Sequence, residues 1–160
     1  MKPVWEDHLH SLAIYHGDVL EFTEPLTADI LITDPPYSRA GGQHTGRHST
    51  HGMSDDARQS DQFWLHWFSA AAKRFLSNLN ERGCGFIFCD YRTIGSVERA
   101  ISSADMGWIV SQCLVWDRES IGMGSPFRSS HELIAFIRGP KFEWTGRRDM
   151  GNVLRHRWFY

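Results

Sequence analysis

An α/β fold built as a three-layer sheet with an antiparallel end is what this sequence predicts, on three observations. Two near-continuous apolar runs, "ADILITD" (Ala28–Asp34) and "CGFIFCD" (Cys84–Asp90), have the character of strands covered on both faces. A helical stripe lies between them: Trp64, Trp67, Phe68, Ala71, Phe75 and Leu79 recur at three- and four-residue steps within Asp61–Asn80. Two later runs, "WIVSQCLVWD" (Trp108–Asp117) and "HELIAFIRG" (His131–Gly139), follow one another with no helix between, as antiparallel neighbours do.

The remaining elements fall into place around these. "AIYHGDVLEF" (Ala13–Phe22) opens as a short strand ending at Gly17-Asp18. Ser60 or Asp61 can cap the long helix, and Arg82-Gly83 is expected to end it. "TIGSVERAISSAD" (Thr93–Asp105) reads as a shorter helix. Residues 38–60 hold few large apolar side chains and many Gly, Ser, His and Arg, so a long mobile loop is expected there.

Length and composition fit a single domain, residues 1–160, with 41% hydrophobic and 22% charged residues. No apolar run approaches the roughly 20 residues of a membrane span, and "MKPVWEDHLH" lacks a signal-peptide core. Cys84, Cys89 and Cys113 show no zinc-type spacing, which predicts buried, reduced thiols and a cytoplasmic setting. Net charge is −2, unevenly spread. Residues 1–34 carry one Lys against seven Asp/Glu, whereas 128–160 carry seven Lys/Arg against three Asp/Glu. The basic C-terminal segment can meet phosphate; it reads equally as a solvated face.

The chemistry concentrates in "TDPPY", where the Ala28–Asp34 strand ends. Open α/β sheets form their sites beyond the carboxyl ends of strands. Two prolines stop the strand and hold the carbonyl between them rigidly. An ionised Asp34 can only accept hydrogen bonds, and Tyr37 offers a flat face with a polar tip. Two acceptors beside a stacking platform suit a planar ring carrying an amino group.

"DPPY" after an apolar strand, within "YHGDVLEFTEPLTADILITDPPY", resembles the S-adenosylmethionine-dependent DNA adenine (amino) methyltransferases whose catalytic motif precedes their cofactor motif. The resemblance continues through "GCGFIFCD", "CLVWDRES" and "PFRSSHELIAFIRG". It implies a class I, Rossmann-like methyltransferase sheet with an antiparallel edge, and methyl transfer to the 6-amino group of adenine in DNA. Asp34 and the Pro35 carbonyl would accept from the target amine, with Pro36 completing the rigid bend. Tyr37 would stack on a flipped base. Asp18, Asp34 and Pro35 would face the cofactor, and Arg39 and Arg47 would lie near DNA.

The same geometry serves the 4-amino group of cytosine. A non-catalytic remnant that binds nucleic acid or a partner chain is the rival of a different class. RNA and protein-glutamine methyltransferases place a glycine loop before the motif, and 33 residues before Asp34 are too few to hold one. The Phe-x-Gly-x-Gly loop of the resembled family is itself missing: Gly83-Cys-Gly85 starts a strand and Gly122-Met-Gly124 precedes no helix. The expectation is therefore a truncated domain lacking the glycine-loop strands, with an open sheet edge covered by a second copy or a complementing chain. Asp18 also fits a simple cap. His44, His48 and His51 read as polar loop rather than metal ligands, and Glu132 is assigned no catalytic role.

Overall fold

A computed structural model describes residues 2–22, 27–37, 61–122 and 126–157. A five-stranded mixed sheet forms its centre, from β3 (Ala28–Thr33), β4 (Leu79–Cys89), β5 (Ile109–Asp117), β6 (His131–Arg138) and β7 (Val153–Arg155). The spatial order is β3-β4-β6-β5-β7. β3 runs parallel to β4, β6 runs antiparallel to both β4 and β5, and β7 runs parallel to β5. The reversed strand is thus β6, inside the sheet rather than at its edge. The connection from β4 to β5 skips one position, and the chain returning from β5 fills it.

Helices α1 (Asp61–Ser77) and α2 (Ile94–Ser103) cover one face. Trp64, Phe68, Ala72 and Leu76 of α1 and Val97, Ala100 and Ile101 of α2 share a core with Ile87, Cys89, Ala135 and Ile137 of the sheet. Of the apolar stripe read from the sequence, Trp64 and Phe68 make this contact and Trp67 and Phe75 pack against it, whereas Ala72 and Leu76 are additions to it and Leu79 lies in β4. On the opposite face Ile30 and Ile32 are 60% and 71% exposed. Phe142 reaches that face farther along, its ring 5.9 Å from Phe136. β3 is an edge strand, so the expected open edge is present among the described residues.

Three local expectations are corrected. α1 ends at Ser77, and Leu79 through Gly83 already belong to β4. The cause is non-local. Gly139 N–H donates to the Gly83 carbonyl and Lys141 N–H to the Glu81 carbonyl, both at 3.0 Å, so the chain after β6 draws this stretch into the sheet. Gly83 is not a helix cap. A Cβ there would sit 2.5 Å from the Asp29 carbonyl oxygen, a close approach that only glycine permits. The N-terminal strand is shorter than expected, β2 (Leu12–Ile14), and it pairs antiparallel with β1 (Trp5–Asp7) in a separate two-stranded sheet instead of neighbouring β3. Finally, of the three thiols only Cys89 is buried; Cys84 is half-buried and Cys113 exposed, all unpaired.

Candidate active site

Strand register gathers one end of the sheet around Asp34. Thr33 pairs with Ile87, Cys89 with Leu133, Trp116 with Glu132, and Asp117 with both His131 and Arg155. The carboxyl ends of β3, β4, β5 and β7 and the amino end of β6 therefore meet, which is where an open α/β sheet forms its site.

Each residue of the bend has a distinct environment. Asp34 is exposed, Pro35 buried, Pro36 exposed and Tyr37 half-buried. The indole N–H of Trp64 donates to the Pro36 carbonyl. Trp64 is itself fixed, 6% exposed and stacked on Phe68 with centroids 4.8 Å apart and planes 12° apart. That bond ties the bend to α1 and engages the second proline's carbonyl. Among the described residues no hydrogen bond occupies the Pro35 carbonyl, and the preceding Asp34 is exposed. The sequence assigns Trp64 to the core alone; its bond to the motif depends on how α1 crosses β3, which no local pattern reveals.

Tyr37 hydroxyl donates to Glu132 Oε2 at 3.3 Å. Burial, the Glu132 charge and the Asp34 charge all push the phenol's pKa above its usual range. Glu132, which the sequence leaves without a role, is thus part of the site. A carboxylate beside a histidine at a strand start carries no signal until the sheet order sets it beside Tyr37.

Beyond β4, Asp90 organises the entry to α2. Its Oδ1 accepts from the backbone N–H groups of Arg92 and Thr93 at 3.0 and 2.9 Å, and its Oδ2 pairs with Arg92 at 2.7 Å. Burial opposes the charge, but the bonds from Arg92 and Thr93 prevail and hold the carboxyl below its ordinary range. Basic residues of the C-terminal segment reach the same end. Arg155 lies 3.7 Å from Asp117, and Arg128 Nε donates to the Gly122 carbonyl at 2.7 Å.

Asp18 caps a short 3-10 turn, Val19–Glu21, accepting from Leu20 N–H at 2.8 Å. Arg39, Arg47, His44, His48 and His51 lie outside the described residues. Gly83 and Gly85 press on the Asp29 carbonyl and the Ile137 side chain, so neither forms a cradle for a cofactor. A cavity of about 660 Å³ lined by Phe86, Phe136, Phe142, Trp144 and Arg138 lies on the sheet face away from the helices, and no residue of the Asp34–Tyr37 bend lines it.

A sheet whose described strands include one reversed strand, with a carboxylate-Pro-Pro-Tyr bend at its end, is the arrangement that the resemblance to class I methyltransferases implies. A family model described as "DNA methylase" matches residues 28–154. The chain belongs to the DNA methylase family. No curated protein matches it by sequence. Among solved structures it is similar to M1.HpyAVI, with TM-score 0.57 and 20% identity over 89% of this chain and 64% of that one. M1.HpyAVI in its complex with SAM gives 0.52 and 20% over 82% and 54%. The PvuII DNA methyltransferase (cytosine-N4-specific) gives 0.59 and 13% over 91% and 57%. The chain thus spans between about half and two thirds of the length of these three neighbours.

Proposed function

We propose that this chain supplies the amine-recognising side of an S-adenosylmethionine-dependent DNA methyltransferase acting on the 6-amino group of adenine. The observation that supports the reading is the bend at the end of β3, where exposed Asp34 is followed by a Pro35 carbonyl without a hydrogen bond among the described residues, and Trp64 holds the Pro36 carbonyl. An amine N–H pointed at each acceptor turns the nitrogen lone pair out of the ring plane, which is the posture an attacking amine needs. Positioning of this kind lowers the barrier without a covalent intermediate. The base must leave the duplex stack to reach the bend, and the Tyr37 ring gives it a new surface. S-adenosylmethionine supplies the methyl group, with Asp18, Asp34 and Pro35 as the residues of this chain facing it.

Arg39 and Arg47 are assigned to phosphate contact, together with the basic residues at the same sheet end. The β3 edge, open among the described residues, supports a second copy or a complementing chain as partner, and the three unpaired thiols support a cytoplasmic setting. The similarity to the cytosine-N4-specific PvuII enzyme supports transfer to the 4-amino group of cytosine as a second reading.

The test is a calorimetric titration of the chain with S-adenosylmethionine, then methyl transfer to duplex DNA carrying adenine or cytosine at the target. Saturable binding that Asp34→Ala weakens supports the reading. Duplex affinity with no cofactor binding favours the remnant that binds nucleic acid without catalysis.

A further inference from the structure

Tyr37 stands between two carboxylates. Its hydroxyl donates to Glu132 at 3.3 Å, while the nearby Asp34 carboxylate acts with Glu132 to raise the pKa of the same phenol. A phenol has one proton and can satisfy one acceptor at a time. Which carboxylate takes it decides whether Asp34 meets the substrate with its lone pairs free.

The surroundings favour Glu132. Its Oε1 lies 3.1 Å from Arg118 Nη1, and the two side chains are only 23% and 17% exposed. Arg118 Nη2 donates to the Ser129 carbonyl at 3.0 Å, and Arg118 N–H to the Ser130 carbonyl at 2.9 Å. Gly122 N–H also donates to the Ser129 carbonyl at 2.7 Å. A Cβ on Gly122 would sit 2.9 Å from that oxygen and 3.1 Å from Arg118 Nη2, so the turn closes on the guanidinium only because position 122 has no side chain. Arg118 Nε is buried without a partner among the described residues, leaving Glu132 as the only carboxylate paired with this cation. Glu132 is therefore fixed from behind by β5 and β6. Asp34 is exposed, and among the described residues no ion pair holds it.

We propose that Glu132 is a positioning residue: it takes the single hydroxyl proton of Tyr37, holds the ring at the bend, and keeps Asp34 unprotected by that proton and open to the substrate amine. The proposal rests on the methyltransferase reading for its consequence, but its geometry is testable without activity. With Glu132 gone, the Tyr37 hydroxyl turns to Asp34 and occupies one of its acceptor positions. Every productive encounter must then displace a charge-assisted hydrogen bond, a loss of about 10- to 100-fold in transfer.

Two measurements test this. The first places 3-fluorotyrosine at position 37 of the full chain and follows its fluorine resonance. Asp34→Asn is expected to leave the resonance nearly unmoved in the otherwise unaltered chain and to shift it clearly when Glu132→Ala is also present. An equal shift from Asp34→Asn in both backgrounds overturns the assignment, whether or not the chain methylates DNA. The second is a cycle of transfer rates. Glu132→Ala is expected to lose about 10- to 100-fold, and adding Tyr37→Phe, which keeps the ring but removes the competing proton, recovers most of that loss. A double variant whose loss is the product of the two single losses contradicts the proposal, since a merely structural Glu132 predicts that product. Glu132→Gln keeps the side-chain volume beside Arg118 and serves if the alanine variant does not fold; it is expected to give a smaller loss, also relieved by Tyr37→Phe.

Discussion

On the proposed reading Asp34 is the residue on which the chemistry turns: it is exposed at the end of β3, whereas Asp90 pairs with Arg92, Asp117 with Arg155 and Glu132 with Arg118. Replacing it by alanine removes a preorganised acceptor, and methyl transfer is expected to fall about 100- to 1,000-fold at unchanged thermal stability. Radiolabel incorporation alongside a melting curve checks both halves. The cysteines give a second test at this scale. Burial pushes the Cys89 thiol up to about 12, whereas Cys113 is exposed. Alkylation at neutral pH is expected to modify Cys113 first and Cys89 only on unfolding, as read by mass spectrometry. Asp34 and Tyr37 are legible in the sequence since their order along the chain is also their order in space. Glu132 and Trp64 are not, because each reaches the bend across a distance that only the sheet order and the helix crossing define.

At the scale of elements, two joints hold the site. The first is α1 against the bend. Trp64→Phe keeps a stacked ring on Phe68 but leaves the Pro36 carbonyl without its donor. It is expected to cost about 1–3 kcal/mol in a urea melt, with a further loss in transfer as the bend loosens. The second is Asp90 at the entry to α2. Its carboxyl titrates below the ordinary range in the folded chain, so the unfolded chain binds its proton first. The stabilisation is fully present above an ordinary aspartate pKa of about 3.9 and is lost as pH falls through the lower folded value. Urea midpoints measured from pH 7 down to pH 3 are expected to fall more steeply for the unaltered chain than for Asp90→Asn. Both helices and the four long strands are readable from apolar periodicity. The end of α1 is not, because the bonds that take Glu81 and Gly83 into the sheet come from Gly139 and Lys141.

For the whole molecule, the sheet as described ends on one side in the short β7 and on the other in β3. β7 covers the outer edge of β5, while β3 presents unpaired backbone and two exposed isoleucines. Such an edge associates unless it is covered. Light scattering is expected to show concentration-dependent association of the chain, and Ile30→Lys with Ile32→Lys is expected to leave it monomeric with α1 and α2 intact by circular dichroism. A chain that stays monomeric at high concentration without these changes refutes the claim that this edge drives association. The separate β1-β2 hairpin is a surprise of the same kind as the end of α1: a three-residue apolar strand carries too little pattern to declare its partner.

The account's central claim is that the end of β3 receives a nucleobase amine for methylation. Its most direct test is transfer of labelled methyl from S-adenosylmethionine to a duplex with adenine at the target, comparing the chain with its Asp34→Ala variant at matched stability. The account predicts incorporation into adenine by the former and a loss of at least about 100-fold by the latter. Equal incorporation by the two, or none by the folded, unaltered chain, contradicts it.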